Sequence, residues 1–271
     1  MSDALLDVVS RGVRVFDLGR PLFSGMPQSP NHPKFTHALH RRHGDSVRPD
    51  GGSAASDLLV MGTHVGTHID ALAHVSHDGK LHGGADASVV LGGGYPEHGV
   101  HTIAPMLRRG VLLDVPGALG LDSCDPAYEV TPADLDAAVA SASVRLGAGD
   151  IALIRTGWGR RFDDGTAAYL GKATGVPGVG EAGARWLAAH SLHAVGADTI
   201  AFEHLPAGAG HAVLPAHRIL LVENGIYIME ALNLEELAAA ATHEFTFVLV
   251  PLNIIGATGS PVRPLAVIAG D

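Results

Sequence analysis

The feature that most restricts how this chain can fold is a histidine-rich segment around residue 70. Four histidines and one aspartate occur within fourteen residues between His64 and His77. β-Branched neighbours favour an extended backbone here, and an extended backbone points residues 64, 66, 68 and 70 to one side. A straight strand would hold His64 and His68 roughly 13 Å apart, which is long for one metal ion. We therefore expect the chain to bend at Gly66, because glycine permits backbone conformations that other residues disfavour.

His64, His68 and Asp70 would then offer two imidazoles and one carboxylate on one face. This donor set suits zinc, manganese or iron and leaves positions open for water and substrate. Such an ion can lower the pKa of bound water towards ~7 and polarise a carbonyl. We expect Asp70 to cap a short helix over residues 71–74, which would bring His74 over the carboxylate and leave it free for proton transfer. Each histidine taken singly is explained as a surface or capped residue, but packing rarely produces the whole set.

The composition of the 271 residues excludes several classes of protein. The net charge is −10 and no basic run exceeds two residues, so we expect neither nucleic acid nor an anionic membrane as a partner. An apolar share of 46% excludes a disordered chain. No apolar run is long enough to span a bilayer and the first residues lack the basic start of a secretory signal, so we expect a cytoplasmic protein. The single cysteine, Cys124, has acidic neighbours that should raise its thiol pKa and make it inert.

Short apolar runs bounded by Gly, Pro or Asp alternate along the chain with alanine-rich helical stretches. The predicted strands cover residues 13–18, 58–61, 111–115, 151–155, 194–197, 226–229, 245–250 and 265–269. One predicted helix begins after the Thr131 cap, and three more cover residues 181–190, 215–222 and 234–241. This mixture indicates an α/β fold, which we expect to form one domain over residues 1–271. Long loops over residues 21–52 and 92–103 are typical of functional segments.

The segment His64-Val-Gly-Thr-His-Ile-Asp-Ala-Leu-Ala-His74 resembles the His-x-Gly-Thr-His-x-Asp-x-x-x-His signature of the cyclase superfamily. That family includes kynurenine formamidase, isatin hydrolase and a dienelactone hydrolase, all metal-dependent. Leu214-Pro-Ala-His217, followed by Glu230, resembles the second metal-binding segment of the family, and Gly-Ser260-Pro near the C-terminus resembles isatin hydrolase. The similarity extends over about residues 13–268.

The resemblance implies a set of metal ligands, which are His64, His68, Asp70, His217 and Glu230. The first three would hold one zinc or manganese ion, and Asp70 would bridge to a second ion, so one or two ions are expected. His74 would be the catalytic acid/base residue. His82 is expected in the substrate pocket, and Trp158 could stack on an aromatic substrate, although core packing explains Trp158 at least as well.

The resemblance also implies a swivelling β/β/α fold, with a mixed sheet or barrel-like core and peripheral helices. Family members usually form homodimers or homotetramers. The leading hypothesis is a metal-dependent hydrolase of a small amide, imide or lactone. The alternatives are a non-catalytic metal-binding protein with a closed coordination sphere and a lactone hydrolase of the dienelactone type. Gly178-Val-Gly180-Glu-Ala-Gly183 matches a dinucleotide-binding pattern, but loop residues precede it, so we interpret these glycines as helix-entry and close-packing residues.

Overall fold

A curled, mixed nine-stranded sheet forms a half-barrel at the centre of the computed structural model, which describes residues 4–270. The strands are β1 (Val13–Asp17), β2 (Thr36–Arg41), β3 (Ser56–Val60), β4 (His68–Asp70), β5 (Met106–Asp114), β6 (Glu129–Val130), β7 (Ile151–Arg155), β8 (Gly178–Val179), β9 (Ala194–Ala197), β10 (Tyr227–Glu230), β11 (Glu244–Leu249), β12 (Gly259–Pro261) and β13 (Leu265–Ala269). The α-helices are α1 (Ala4–Arg11), α2 (Val115–Ala118), α3 (Pro132–Ala142), α4 (Thr166–Leu170), α5 (Glu181–Ala189), α6 (Pro215–His217) and α7 (Glu235–Ala239).

The order of strands in the sheet is β1-β13-β11-β5-β7-β9-β10-β4-β12. Strands β5, β7, β9 and β10 are parallel, and antiparallel strands extend the sheet on both sides. Two further pairs, β2 with β3 and β6 with β8, lie outside this sheet. The register between β4 and β10 places His68 opposite Glu230 and Asp70 opposite Ile228. Two segments that are distant in the sequence therefore meet at one place in the sheet.

Apolar side chains cover both faces of the central strands. On one face, Leu113 and Ile154 belong to a buried cluster that includes residues of α3 and α5. On the other face, Leu112 and Leu153 pack in a second cluster with α7 and with Phe247 of β11. Strands buried on both faces read as continuous apolar runs, which explains why the sequence predicts β7 and β9 with the bounds observed. The expected α/β class with a mixed sheet and peripheral helices is confirmed.

Two helix predictions have different outcomes. The helix after Thr131 is confirmed, with a full capping box in which Thr131 and Asp134 each bond the backbone N–H of the other. The predicted helix over residues 71–74 is wrong, because this segment is a tight turn closed by a hydrogen bond from the His74 N–H to the Ala71 carbonyl (2.9 Å). Helix α6 continues as one stretch of π-helix over Arg218–Glu223. Within the described residues, none of the helices has both the length and the apolar character needed to cross a membrane.

Candidate metal centre and active site

Six ionisable side chains meet where β4 pairs with β10. They are His64, His68, Asp70, His74, His217 and Glu230, and all except the half-buried His74 are buried. Asp70 has no exposed surface, while the other five line a cavity of about 40 Å³ together with His32, His211 and Ser29. A water molecule takes up about 30 Å³ of the liquid, so this cavity can accept an ion or small ligand atoms. The structure thus brings together every residue for which the sequence predicts a metal-binding or acid/base role.

Gly66 makes this convergence possible by the bend that the sequence predicts. Its φ angle is +69°, in the left-handed region that favours glycine. The bend brings the rings of His64 and His68 to a centroid separation of 5.2 Å, far closer than a straight strand allows. The Nδ1 atom of His68 lies 2.8 Å from the Gly66 carbonyl oxygen, so the same turn also orients the imidazole.

His64, Asp70 and His74 form one group whose potential ligand atoms all lie within 4.8 Å of one another. The Nδ1 atom of His64 is 2.7 Å from Oδ1 of Asp70, and its Nε2 atom is 2.9 Å from the hydroxyl oxygen of Thr258. The rings of His64 and His74 stack with centroids 3.8 Å apart. The turn after β4 therefore places His74 directly beside the predicted ligands.

His68, Asp70 and Glu230 form a second group with the same spacing. The Nε2 atom of His68 lies 3.5 Å from Oδ1 of Asp70 and 3.4 Å from Oε2 of Glu230. The Nε2 atom of His217 lies 3.1 Å from Oε1 of Glu230 and 3.6 Å from Oδ2 of Asp70. Asp70 thus takes part in both groups. In the structure, His64 shares a group with His74, and His68 shares a group with Glu230. The family resemblance instead implies that His64 and His68 bind the same ion.

Burial changes the charge states of these groups. It lowers the pKa of His68 to about 4 and that of His74 to about 3, so both imidazoles are neutral at neutral pH. Desolvation by burial is the main cause of the low pKa of His74, and the neighbouring His64, His217 and His68 lower it further. Burial alone would raise the pKa of Asp70, but the nearby His74, His217 and His64 outweigh burial and lower this pKa well below its usual range. Two neutral imidazoles beside an ionised carboxylate are ready to bind a cation.

Glu230 and His217 form a buried, hydrogen-bonded pair. Burial raises the pKa of Glu230 to about 7. Burial would lower the pKa of His217, but the neighbouring carboxylates of Asp70, Glu203 and Glu230 raise it well above its usual value. A positive charge between these carboxylates is therefore favourable.

The residues present fit a divalent metal ion. The Oδ2 atom of Asp70 is buried and has no hydrogen-bond partner within the described residues, although buried carboxylate oxygens are nearly always bonded. A protonated His217 places its Nε2 atom 3.6 Å from this oxygen. Imidazole nitrogens and carboxylate oxygens are donors that zinc and manganese both accept. The predicted ligand set is thus chemically suited to one or two such ions.

The structure also shows contributors that the sequence analysis does not identify. His32 stacks on His64 with ring centroids 5.3 Å apart, and Ser29 lines the cavity beside it. Their location in the predicted Pro/Gly/His-rich loop is the only signal for them. Glu203 lies behind His217, with its Oε2 atom 2.6 Å from Nδ1 of that histidine. A lone acid following the apolar residues 200–202 is a weak signal for such a role.

The two predicted substrate contacts lie elsewhere. Neither His82 nor Trp158 is among the described residues that line the cavity. The Nδ1 atom of His82 lies 3.0 Å from the Val222 carbonyl oxygen, at the end of the π-helix. Trp158 is a core residue whose indole N–H donates to the Tyr169 carbonyl (2.8 Å). Core packing is thus the better explanation of Trp158, and both residues lie outside the described lining of the cavity.

Cys124 and the glycine pattern are explained by packing. Burial and nearby acids, including Asp198 and Asp134, raise the pKa of the Cys124 thiol to about 12, which confirms its expected inertness. In the glycine pattern, a Cβ on Gly178 would lie 2.3 Å from backbone atoms of Glu203, and one on Gly183 would lie 2.8 Å from a backbone oxygen. These glycines allow neighbouring segments of the backbone to pack closely, as predicted from the sequence.

Comparison with known proteins gives a consistent result. Residues 16–204 match the sequence model of the Cyclase family. The isatin hydrolase of Roseibium aggregatum is 28% identical over 221 residues, which cover 81% of this chain and 77% of that protein. The kynurenine formamidase of Geobacillus thermodenitrificans is 26% identical over 250 residues, which cover 91% of this chain and 94% of that protein. The crystal structure of a novel cyclase superposes with a TM-score of 0.85 at 30% identity, covering 96% of this chain and 91% of that one. By its sequence motifs, its fold and these relatives, the chain belongs to the cyclase family.

Proposed function

We propose that this protein is a metal-dependent hydrolase that cleaves a C–N or C–O bond in a small amide, imide or lactone. The observation that carries the proposal is the buried meeting of neutral imidazoles and carboxylates around Asp70, one of whose oxygens lacks a hydrogen-bond partner. The relatives named above are a hydrolase of isatin, which is a cyclic amide, and a formamidase, so they support hydrolysis of amides.

Asp70 and Glu230 provide the negative charge that would hold a divalent ion, and the imidazoles of His64, His68 and His217 provide nitrogen donors. When bound, the ion would polarise a substrate carbonyl and increase the acidity of a water molecule. Asp70 faces both groups, so it is suited to contact two ions or to orient one.

His74 is the residue best placed to move a proton. Burial keeps this imidazole neutral, and it stacks against His64 at the edge of the cavity. A neutral imidazole can accept the proton of the attacking water and later donate it to the leaving nitrogen or oxygen. The Asp70 carboxylate raises the pKa of His74 against the effect of burial, so it stabilises the imidazolium that forms.

The cavity favours a small substrate. Ile200, Ala201 and Leu214 provide apolar walls, while His32 and His211 provide polar edges. Ser260 belongs to the Gly-Ser-Pro segment that resembles isatin hydrolase, but it is not among the described residues that line this cavity, and its hydroxyl donates to the Pro261 carbonyl (2.8 Å). Glu230, in contrast, lies in the site itself. We therefore infer that the site can hold two ions, and we leave formamides, cyclic imides and lactones as the substrate classes to be tested.

The proposal is tested by removing and restoring metal. The protein is treated with a chelator, reconstituted with zinc or manganese, and assayed with an N-formylated aniline, isatin and a lactone. We expect turnover of at least one substrate that is lost on chelation and restored by metal. His68→Gln should bind less metal and lose activity, whereas the control His37→Gln, at an exposed position in β2, should do neither. Full activity of the metal-free protein would contradict the proposal, and metal binding without any turnover would favour the non-catalytic alternative.

A further inference from the structure

Glu203 lies behind His217, on the side of the imidazole that faces away from the cavity. The side chain of Glu203 is only 1% exposed. Its Oε1 atom accepts the backbone N–H of Ala216 at 2.6 Å. Its Oε2 atom is 3.3 Å from the backbone nitrogen of His217 and 2.6 Å from the Nδ1 atom of the same residue. Both carboxylate oxygens are thus occupied by N–H donors at the start of α6.

These contacts determine which ring nitrogen of His217 keeps its proton when the imidazole loses its positive charge to bind a metal ion. Both oxygens of Glu203 already accept backbone N–H groups, so the carboxylate acts as an acceptor and Nδ1 must be the donor. A neutral imidazole that is protonated at Nδ1 has its lone pair on Nε2. The Nε2 atom lies 3.1 Å from Glu230 and 3.6 Å from Asp70, at the predicted metal position. Glu203 therefore directs the ligand atom of His217 into the site.

The backbone of Glu203 is fixed by packing that leaves little freedom. Phe202, the preceding residue, has a φ angle of +58°, which turns the chain towards α6. Val179 of β8 forms a bridge with Glu203, and the His204 N–H donates to the Val179 carbonyl (3.2 Å). A Cβ on Gly178 would lie 2.3 Å from the carbonyl of Glu203, so only glycine allows this approach. The carboxylate is thus held in place independently of any bound ion.

His68 provides an internal comparison. Its Nδ1 atom bonds a neutral carbonyl, that of Gly66, whereas Nδ1 of His217 bonds a carboxylate. A carboxylate partner makes the opposite ring nitrogen a stronger electron donor than a carbonyl partner does, and loss of such a partner commonly weakens metal binding by 10–100-fold.

We propose that Glu203 is a positioning residue that fixes His217 in the Nδ1-protonated tautomer and so makes it a strong ligand in the group formed with Glu230 and Asp70. This inference rests on the proposed function, because it assumes that the group binds a divalent ion. Glu203 itself does not touch the cavity; its effect reaches the ion only through His217.

The substitution Glu203→Gln tests this role because glutamine keeps the shape of the side chain but changes its hydrogen bonding. A glutamine has one oxygen and one NH₂ group, whereas the site presents donors to both positions. If the amide oxygen accepts the Ala216 N–H, the NH₂ group faces Nδ1 of His217 and favours the opposite tautomer. That tautomer carries its proton on Nε2, which blocks the predicted ligand atom.

The first measurement is the tautomer itself. Two-bond ¹H–¹⁵N correlation spectra of the histidine rings are recorded on the zinc-loaded protein. The signals of His217 are assigned as those that are missing from the spectrum of His217→Gln. We expect the Nδ1-protonated form in the wild type and loss of that form in Glu203→Gln. An Nε2-protonated His217 in the zinc-loaded wild type would overturn the proposal without reference to any variant.

The second measurement is zinc affinity by competition with a chromogenic chelator. We expect Glu203→Gln to weaken the affected zinc site by about 10–100-fold, and Glu203→Asp, whose carboxylate is withdrawn by about 1.5 Å, to restore part of this loss. The control Glu236→Gln removes an exposed carboxylate on α7 and should leave zinc affinity unchanged. Unchanged affinity in folded Glu203→Gln, with a wild type that binds zinc and is active, would overturn the inference alone. A wild type that binds no zinc would instead contradict the proposed function.

Discussion

At the scale of single residues, Gly66 connects backbone conformation to the metal site. Its φ of +69° disfavours any other residue, and a Cβ would lie 2.4 Å from Cδ2 of Leu22. We expect Gly66→Ala to reduce the free energy of unfolding by about 2–4 kcal/mol, from left-handed strain and overpacking together. The displaced His68 should also bind metal more weakly.

Gly44 offers a matched control for this prediction. Its φ is also in the left-handed region, at +92°, but a Cβ there would meet nothing within 4 Å. Gly44→Ala should therefore show only the backbone cost, about 1–2 kcal/mol, and full metal content. Urea unfolding and metal analysis of both variants separate the two effects. Equal loss of stability in the two variants, with metal retained in both, would show that the contact near Leu22 is unimportant.

His74 is the residue whose substitution should separate proton transfer from metal binding. We expect His74→Gln to reduce turnover by roughly 10²–10⁴-fold, the usual contribution of a general acid/base residue. Metal content should remain near that of the wild type, because His68, His217 and Glu230 still surround Asp70. Turnover equal to that of the wild type would rule out the proposed role, and loss of metal would show that His74 is a ligand instead.

At the scale of secondary-structure elements, an ion-pair cluster joins α7 to the end of β7. Arg155 is buried and its guanidinium bonds Asp114 at 2.7 Å and Glu235 at 2.9 Å. Helix α7 covers the end of the strand at this point and excludes water from the arginine. Arg160, which is exposed, adds a second cation beside Glu235.

This cluster makes a pH-dependent contribution to stability. Burial would raise the pKa of Glu235, but hydrogen bonds and charges from Arg155 and Arg160 outweigh burial and lower this pKa below its ordinary value of 4.5. A carboxyl with a lower pKa in the folded state stabilises the fold fully above its unfolded pKa, and this contribution is lost as the pH falls through the folded value.

Glu235→Gln should therefore lower the free energy of unfolding by about 1–3 kcal/mol at neutral pH. The difference from the wild type should stay constant well above the ordinary carboxyl pKa of 4.5 and shrink as the pH falls below it, because the wild-type carboxylate then becomes protonated. Urea unfolding of both proteins between pH 3.5 and 8 checks this. A difference that does not change with pH would mean that the charge of Glu235 contributes little.

The sequence predicts elements well where local pattern and burial agree. Central strands such as β7 and β9 are recognised because both of their faces are buried and their residues are apolar. The sequence predicts an extended backbone around β4 but not its place in the sheet, because that place depends on pairing with β10 and β12. Strand β2 lies in a segment that the sequence predicts as a loop, because its residues are exposed on both faces and show no alternation.

The candidate site, like the fold, can be predicted from the sequence only where it depends on local pattern. The spacing of His64, His68 and Asp70 can be recognised from the sequence because these ligands lie within seven residues of one another. Their division into two groups depends on the register between β4 and β10, which no local pattern contains. The role of Glu203 likewise depends on packing against β8 and α6. Long-range contacts thus determine the second half of the site.

At the scale of the whole molecule, the ribbon formed by β2 and β3 stands apart from the packed core. All of its strand residues are exposed in the chain as described. Leu58, Leu59 and Val60 are each at least 50% exposed, and Leu39 on the opposite strand is 49% exposed. A two-stranded ribbon without cover is only marginally stable in water. We therefore expect a second copy of the chain to cover the ribbon, in a homo-oligomer of the kind that the family resemblance implies.

Leu58→Asp tests this expectation because it places a charge on the apolar face of the ribbon. We expect the wild type to elute as a dimer or tetramer by size-exclusion chromatography with light scattering, and Leu58→Asp to weaken association at least tenfold, which corresponds to about 1.4 kcal/mol. Leu121→Asp, at a leucine of similar exposure outside the ribbon, should leave the assembly intact. A wild type that remains monomeric at every concentration would contradict the expected association. The apolar ribbon would then be stable without a second copy to cover it.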